Sequence, residues 1–279
     1  MSRFLIGLAA RIPLAILHAV GAWLGWAIYG LSPTYRRHLR DNLQAAGFGD
    51  AATRRSAIAA AGRQVAEIPA IWLRPRAEVT ALVRRIDGLE HVEAARAAGK
   101  GTLFLTPHLG CFEIAAQFAA ERFPITVLYR PPKIAWLKPL IEEGRGRGNV
   151  RLARADLSGV RELVGALSRG EAVGILPDQV PGVGEGEWAE FFGKPAYTMT
   201  LAPKLARRPD CACLLAWGER LARGNGYVIH VRPMPPAVPG ESEAKHLNRA
   251  IEALVRECPG QYLWGYNRYK RPRGAGEPP

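Results

Sequence analysis

Cysteine is scarce in this chain and unpatterned. The four present, Cys111, Cys211, Cys213 and Cys258, form no C-x-x-C pair and no group with histidine at zinc-ligand spacing, which excludes a disulfide framework and a structural zinc and points to a reducing compartment. His18, His38, His91, His230 and His246 show no metal-ligand spacing either and read as structural or exposed, so neither a metal nor a cofactor is expected. The G-x-x-x-x-G-K-[ST] phosphate loop is missing. There is no internal repeat, and no low-complexity tract beyond a short Gly/Pro-rich C-terminus. Acidic residues are the under-represented charge: 25 Asp and Glu against 38 Lys and Arg leave a formal net charge of +13. That excess implies an anionic partner, whether nucleic acid, a membrane surface, an acidic carrier or a phosphorylated substrate. Charge alone does not choose among them.

What is present begins with an apolar run. Residues 4–31 are interrupted only by Arg11 and His18, and Ile12 to Leu31 supplies about the 20 residues a bilayer-spanning helix needs. Trp23, Trp26 and Tyr29 suit a membrane interface, and Arg36, Arg37 and Arg40 follow, as expected if the downstream side is cytoplasmic. No polar segment with a small-residue cleavage site separates the run from these arginines, which argues against a cleaved signal. Residues 1–31 are therefore expected to form a membrane anchor or an in-plane helix, the alternative being a buried amphipathic helix of the domain. The remaining length suffices for one α/β domain over residues 32–272, with 273–279 as a disordered tail.

Within the domain, three apolar strands end in polar residues. The first, Gly101 to Thr106, breaks at Pro107 and delivers His108 just before a helix carrying Glu113. In α/β proteins ligands bind beyond the carboxyl ends of the strands, so this His-x4-Glu spacing reads as a base and the acid that orients it. Cys111 between them reads as a small core residue rather than a nucleophile. The second strand, Ile125 to Tyr129, ends at Arg130, and the third, Ala172 to Leu176, ends at Asp178 and Gln179; by itself Asp178 equally fits a turn or cap. Between them, Arg145 and Arg147 alternate with Gly144, Gly146 and Gly148, which lets their guanidinium groups approach an anion and equally fits a flexible basic loop. Helices are expected over Thr53–Trp72, Leu89–Ala98, Glu113–Arg122, Lys133–Glu143, Gly159–Arg169, Tyr197–Arg207 and Glu241–Glu257. Residues 180–195 read as a loop. Strands Ala212–Trp217 and Tyr227–Val231, joined around Gly224-Asn225-Gly226, read as a hairpin closing the sheet. The segment Cys258–Pro272 interleaves aromatics with cations, a composition that suits base stacking or a membrane interface, but it carries no recognisable nucleic-acid motif.

Taken in order, these segments resemble the late acyltransferases of lipid A biosynthesis, the lauroyl and myristoyl transferase family of Gram-negative bacteria, from roughly residue 35 to 272. The resemblance lies in Asn42-Leu43, Gly88-Leu89-Glu90-His91 and the box from Gly101 to Glu113. It continues through Tyr129-Arg130-Pro131, Arg145 and Pro177-Asp178-Gln179. Phe191-Phe192-Gly193 with Ala196 and Thr198, and Gln261-Tyr262-Leu263-Trp264 with Arg268, Tyr269 and Lys270, complete it. Pro107 and Cys111 depart from the residues common at those positions.

The resemblance implies a glycerolipid-acyltransferase-like fold, a single α/β domain with a central mixed β-sheet flanked by helices and preceded by an N-terminal membrane-associated helix. It implies a monomer in the bacterial inner membrane, with the catalytic domain on the cytoplasmic face. Its reaction would move a fatty acyl chain from acyl carrier protein to a hydroxyl of a lipid A precursor. His108 would take the hydroxyl proton and Glu113 would hold the imidazole tautomer. Arg145 would stabilise the oxyanion or bind a phosphate, Arg130 and Asp178 would support the site, and Arg147 and Gln179 would add substrate contacts. Another glycolipid or lysophospholipid acceptor, or coenzyme A as donor, would fit the same box. A different class of function, a basic nucleic-acid-binding protein with an accidental histidine box, is the non-enzyme alternative.

Overall fold

The computed structural model describes residues 7, 8, 10–132 and 134–278; residues 1–6 and 9 of the expected membrane segment, Lys133 of the expected helix and Pro279 of the expected tail lie outside them. At its centre is a seven-stranded mixed sheet with strand order β1-β9-β8-β2-β5-β3-β4. The strands are β1 Val83–Asp87, β2 Gly101–Leu105, β3 Ile125–Tyr129, β4 Val150–Arg154, β5 Ala172–Ile175, β8 Cys211–Arg220 and β9 Tyr227–Pro233. All neighbours run parallel except β8 and β9, the antiparallel hairpin legible in the sequence. β2 and β5 are buried at every position, as central parallel strands covered on both faces must be, which is why they read as uninterrupted apolar runs.

Four strands had no such signature. β1 and β4 lie at the two sheet edges, and each exposes two arginines, Arg84 and Arg85 in β1 and Arg151 and Arg154 in β4. β6 Gly186–Phe191 and β7 Lys194–Met199 pair into a separate antiparallel hairpin, where a loop and the start of a helix were expected. The hairpin turns at Phe192 and Gly193, both with positive φ, so a Phe-Gly pair takes the place of the usual Asn-Gly. The helix expected over Thr53–Trp72 divides into α3 Ala51–Ala66 and α4 Ile68–Leu73, because Pro69 lacks the N–H a continuous helix needs there.

Ahead of the sheet run α1 Leu14–Leu31 and α2 Pro33–Ala45, the latter capped by the Ser32 hydroxyl, which accepts from the Tyr35 N–H. α1 is long and apolar enough to cross a membrane, yet one side lies against α3. Contact is backbone-close: a Cβ on Gly62 would sit 1.9 Å from the Gly21 carbonyl oxygen, and one on Gly25 would sit 2.2 Å from that of Ile58. Leu14, Leu17 and His18 share this buried side, while Ile16, Val20, Trp23, Leu24, Ile28 and Leu31 face outward.

The tail, expected to be disordered after residue 272, instead folds back. Ala275 is buried against Val180 and Tyr197, and the Trp188 indole N–H donates to the Gly276 carbonyl at 3.0 Å. A small residue, with neighbouring carbonyls satisfied by Trp188 and Arg271, is enough to dock a segment that composition marks as loose.

Candidate active site

Because β2 and β5 are direct neighbours, paired Thr102 to Ala172 through Leu105 to Ile175, residues three beyond their ends meet. His108 Nδ1 lies 2.8 Å from Asp178 Oδ1, and the His108 backbone N–H donates to Asp178 Oδ2 at 2.9 Å. With Nδ1–H donating to the carboxylate, Nε2 is left with its lone pair toward the cleft, where the Gln179 amide nitrogen stands 3.1 Å away. Burial would raise the Asp178 carboxyl, but the His108 charge and its hydrogen bonds outweigh that and hold it below the usual carboxylate range.

The carboxylate that pairs with the imidazole is thus Asp178, not Glu113. Glu113 lies in the first turn of α7 Phe112–Ala119, and its carboxylate points to the other side of the cleft. It accepts from the Trp72 indole at 3.0 Å and from Arg145 Nε at 2.9 Å, and Arg145 Nη2 closes the ion pair. The guanidinium also lies over the Trp72 ring, 5.5 Å from its centroid. Arg145 ends α8 Leu137–Arg145 rather than standing in a free loop, and the Gln117 amide donates to its carbonyl at 3.1 Å. Two of its donors are taken by Glu113, so the Nη1 edge is the one left for a ligand. Arg147, expected as a substrate contact, is instead a brace: it donates to the carbonyls of Trp72 and Arg74. Arg130 is at the mouth of the cleft, mostly exposed and 3.9 Å from Glu185.

The loop that carries His108 is held from below. Gly110 adopts φ +58, and a Cβ there would lie 2.0 Å from the Gly218 carbonyl oxygen, so only glycine fits. Its N–H donates to the Gln261 carbonyl, the Leu263 N–H donates to the His108 carbonyl, and the Cys111 N–H donates to Gly218. The Gln261-Tyr262-Leu263-Trp264 motif is therefore a buttress of the catalytic loop, and Asn42 fastens it in turn by donating to the carbonyls of Trp264 and Tyr266. Cys111 is fully buried, and burial pushes its thiol far above its ordinary range, which removes it as a nucleophile.

Beneath the loop lies a polar cluster that sequence reading missed. Arg220 Nη2 donates to the Gly110 carbonyl at 2.7 Å and to Glu67 Oε1 at 2.7 Å, while its Nε donates to Glu67 Oε2 at 2.9 Å. The Tyr227 hydroxyl donates to Glu67 at 2.9 Å, and His18 of α1 approaches the same carboxylate at 3.0 Å. The three side-chain partners, His18, Arg220 and Tyr227, lie 49 to 160 positions from Glu67, so no local pattern announces them. Trp72 was invisible for the same reason.

The cleft has a volume of about 850 Å³ and runs from His108, Glu113 and Arg145 past Tyr129, Leu157 and Met199 to Lys204. A narrower apolar crevice of about 70 Å³ continues beneath α7, sharing Phe112, Ala116, Val127 and Leu176 with the cleft and reaching Phe104 and Gly174. A histidine paired to a buried carboxylate, an arginine fixed opposite and an apolar channel between suit acyl transfer to a hydroxyl.

Comparison with known proteins agrees with this reading. The family described as bacterial lipid A biosynthesis acyltransferase matches residues 3–271. The chain is 29% identical over 222 residues to a lipid A biosynthesis lauroyltransferase of Escherichia coli, covering 76% of this chain and 70% of that protein. It is 28% identical over 218 residues to a lipid A biosynthesis palmitoleoyltransferase of the same organism, with the same coverage. A lipid A biosynthesis acyltransferase of Haemophilus influenzae is 26% identical over 182 residues, 63% of this chain and 56% of that protein. With its fold, its cleft and a family match over nearly the whole length, the chain belongs to the bacterial lipid A biosynthesis acyltransferases.

Proposed function

We propose that this enzyme moves a fatty acyl chain from acyl carrier protein to a hydroxyl of a lipid A precursor at the inner membrane, with His108 as general base. The observation that carries the assignment is the Asp178–His108 pair with Nε2 turned into the cleft. The acceptor hydroxyl displaces the Gln179 amide from Nε2, and Nε2 takes its proton as the oxygen attacks the thioester carbonyl. Asp178 stabilises the imidazolium that forms. The Nη1 edge of Arg145 faces the developing oxyanion, with Glu113 and Trp72 holding the guanidinium in place. Collapse of the tetrahedral intermediate breaks the carbon–sulfur bond, and the imidazolium returns its proton to the leaving thiolate. Glu113 thus acts through Arg145 rather than through the imidazole.

The surplus positive charge suits both an acidic carrier protein and a phosphorylated acceptor. α1 serves as an in-plane membrane helix: its partner α3 carries Arg54, Arg55 and Arg63 alongside, and burying those charges in hydrocarbon would be costly. Mass spectrometry of lipid A from a strain lacking the gene tests the reaction. One secondary acyl chain should disappear, and unchanged lipid A would defeat the reading and direct attention to phospholipids.

The acyl chain lies in the cleft with its methyl end toward the crevice under α7. A Cβ on Gly174 would meet Val127 at an ordinary 3.4 Å, so a methyl group fits at the crevice wall, and a longer side chain would occupy the crevice itself. Gly174→Leu should shift preference toward shorter acyl donors, with each methylene worth about 1 to 3 kcal/mol of discrimination. Relative kcat/KM across a series of acyl carrier thioesters measures this, and an unaltered profile would show that the chain lies elsewhere.

A further inference from the structure

Several large apolar side chains point into solvent on loops that share one edge of the sheet. Ile134 is 51% exposed, Trp136 66%, Leu157 79% and Val183 52%. They follow the carboxyl ends of β3, β4 and β5, the same edge from which Arg130 and Asp178 reach the cleft. Leu157 itself lines the cleft, and Val183 lies between the lining residues Pro181 and Gly184. Three separate loops therefore place apolar groups around one mouth. An isolated exposed apolar residue needs no explanation, but several around the opening of a lipid-sized cleft do.

Cations accompany them. Lys204 lines the mouth and is exposed. Arg130 and Arg154 are 68% and 64% exposed, 3.9 and 3.8 Å from the exposed carboxylates of Glu185 and Asp156, and Lys138 stands nearby, also exposed. Such open pairs contribute little and exchange readily for phosphate. Apolar tips set among exposed cations are the composition of a surface that sits in an anionic lipid interface.

The start of α1 adjoins the same edge of the sheet. Leu14, at the start of that helix, packs with Ile71 and Trp72, and Trp72 reaches Glu113 in the cleft. Ala15 abuts Gly224, just beyond the carboxyl end of β8 on the same sheet edge. The N-terminal end of α1 thus lies beside the edge that carries the rim.

We propose that the loops after β3, β4 and β5 form a second membrane-contact surface, Ile134, Trp136, Leu157 and Val183 entering an anionic bilayer interface so that the cleft opens directly onto the lipid. The acceptor then passes sideways from the bilayer to His108 without its acyl chains crossing water, and the carrier protein approaches from the aqueous side. This rests on the lipid-acceptor reading.

The test uses the full chain and vesicles of phosphatidylcholine with or without phosphatidylglycerol, in the absence of acyl donor and acceptor. Adding phosphatidylglycerol vesicles should protect the amides of 134–137 and 182–185 from hydrogen exchange. A triple variant, Ile134→Ser with Trp136→Ser and Val183→Ser, should partition onto those vesicles roughly tenfold more weakly or worse, with α1 intact. The apolar counterparts Ile134→Leu, Trp136→Phe and Val183→Ile should restore binding. No protection of the two segments in the wild-type protein, or unchanged partition of a folded triple serine variant, overturns the proposal. A wild-type protein that binds through the rim yet leaves lipid A unaltered in the gene-deletion strain would instead sink the acceptor reading and leave this surface standing.

Discussion

His108→Ala should lower the rate of acyl transfer by on the order of 10²- to 10⁴-fold with little change in stability. The imidazole side chain is mostly shielded, 14% exposed, and packs edge-on against Phe112 at 4.9 Å. Removing it leaves the Asp178 carboxylate without its partner but still accepting from the backbone N–H of residue 108. Transfer is read as product formed from an acyl carrier thioester and a lipid A precursor. Asp178→Asn is the companion: an amide keeps the shape but loses the charge that stabilises the imidazolium and fixes which nitrogen carries the proton. It should therefore lower kcat more than it raises KM. Glu113→Gln should act instead by loosening Arg145, and a Glu113 variant with a shifted pH profile like that of Asp178→Asn would return Glu113 to the role first expected of it. Near-normal transfer by His108→Ala would refute the mechanism outright.

Glu67→Ala should destabilise the protein by about 3 to 5 kcal/mol, since it leaves the Arg220 guanidinium buried without a counter-ion. Both side chains are almost inaccessible, at 2% and 3% exposure, so water cannot take the place of the carboxylate. The Gly110 carbonyl, the Tyr227 hydroxyl and His18 all lose order with it, and activity should fall as the catalytic loop loosens. Thermal denaturation followed by circular dichroism reads the first effect, as a fall in Tm of roughly 5 to 15 °C. Replacing Glu67 and Arg220 together by methionine should cost less than the single change, because no lone charge is left buried. A Glu67→Ala protein within 1 kcal/mol of wild type, as flagged by a nearly unchanged Tm, would show the cluster to be dispensable.

The same carboxylate sets an acid limit. Burial works against ionisation of Glu67, but Arg220 and His18 overcome it and bring its pKa down from the usual 4.5 to about 2. A group depressed on folding contributes stability that is fully present above its unfolded value and is lost as pH falls through the folded one. The contribution of Glu67 is therefore complete at neutral pH and declines from about pH 4.5 toward 2, and the lowered Asp178 adds loss in the same direction. Denaturation midpoints measured across that range should fall with acid, and fall less in the double methionine variant.

Much of this was legible in the residue order. Apolar runs with a period that admits no exposed face marked β2, β3 and β5, and breakers at their ends placed His108, Arg130 and Asp178 on one edge. The family motifs named the reaction class, and the one apolar segment near the N-terminus was recognisable by length. Edge strands β1 and β4 were not legible, because two of the five residues in each are exposed arginines that interrupt the apolar run. Nor was the hairpin β6–β7, whose turn uses Phe192 in a left-handed conformation that sequence rules reserve for other residues.

By itself, the sequence determined the mixed α/β class, the histidine at a strand end, the cationic surface and the burial of Cys111, because each follows from local composition and spacing. Tertiary structure alone decided which carboxylate meets the His108 imidazole. His108 and Glu113 are close in the chain, but strand pairing of β2 with β5 brings Asp178, 70 residues away, onto Nδ1, while the turn into α7 carries Glu113 across the cleft to Arg145. It likewise decided that Arg147 braces the backbone and that Glu67, Arg220 and His18 meet beneath the catalytic loop. The physical reason is common to all three: partner choice among buried charges depends on where strands and helices bring them in space, and spacing along the chain constrains that only within a turn or a single strand.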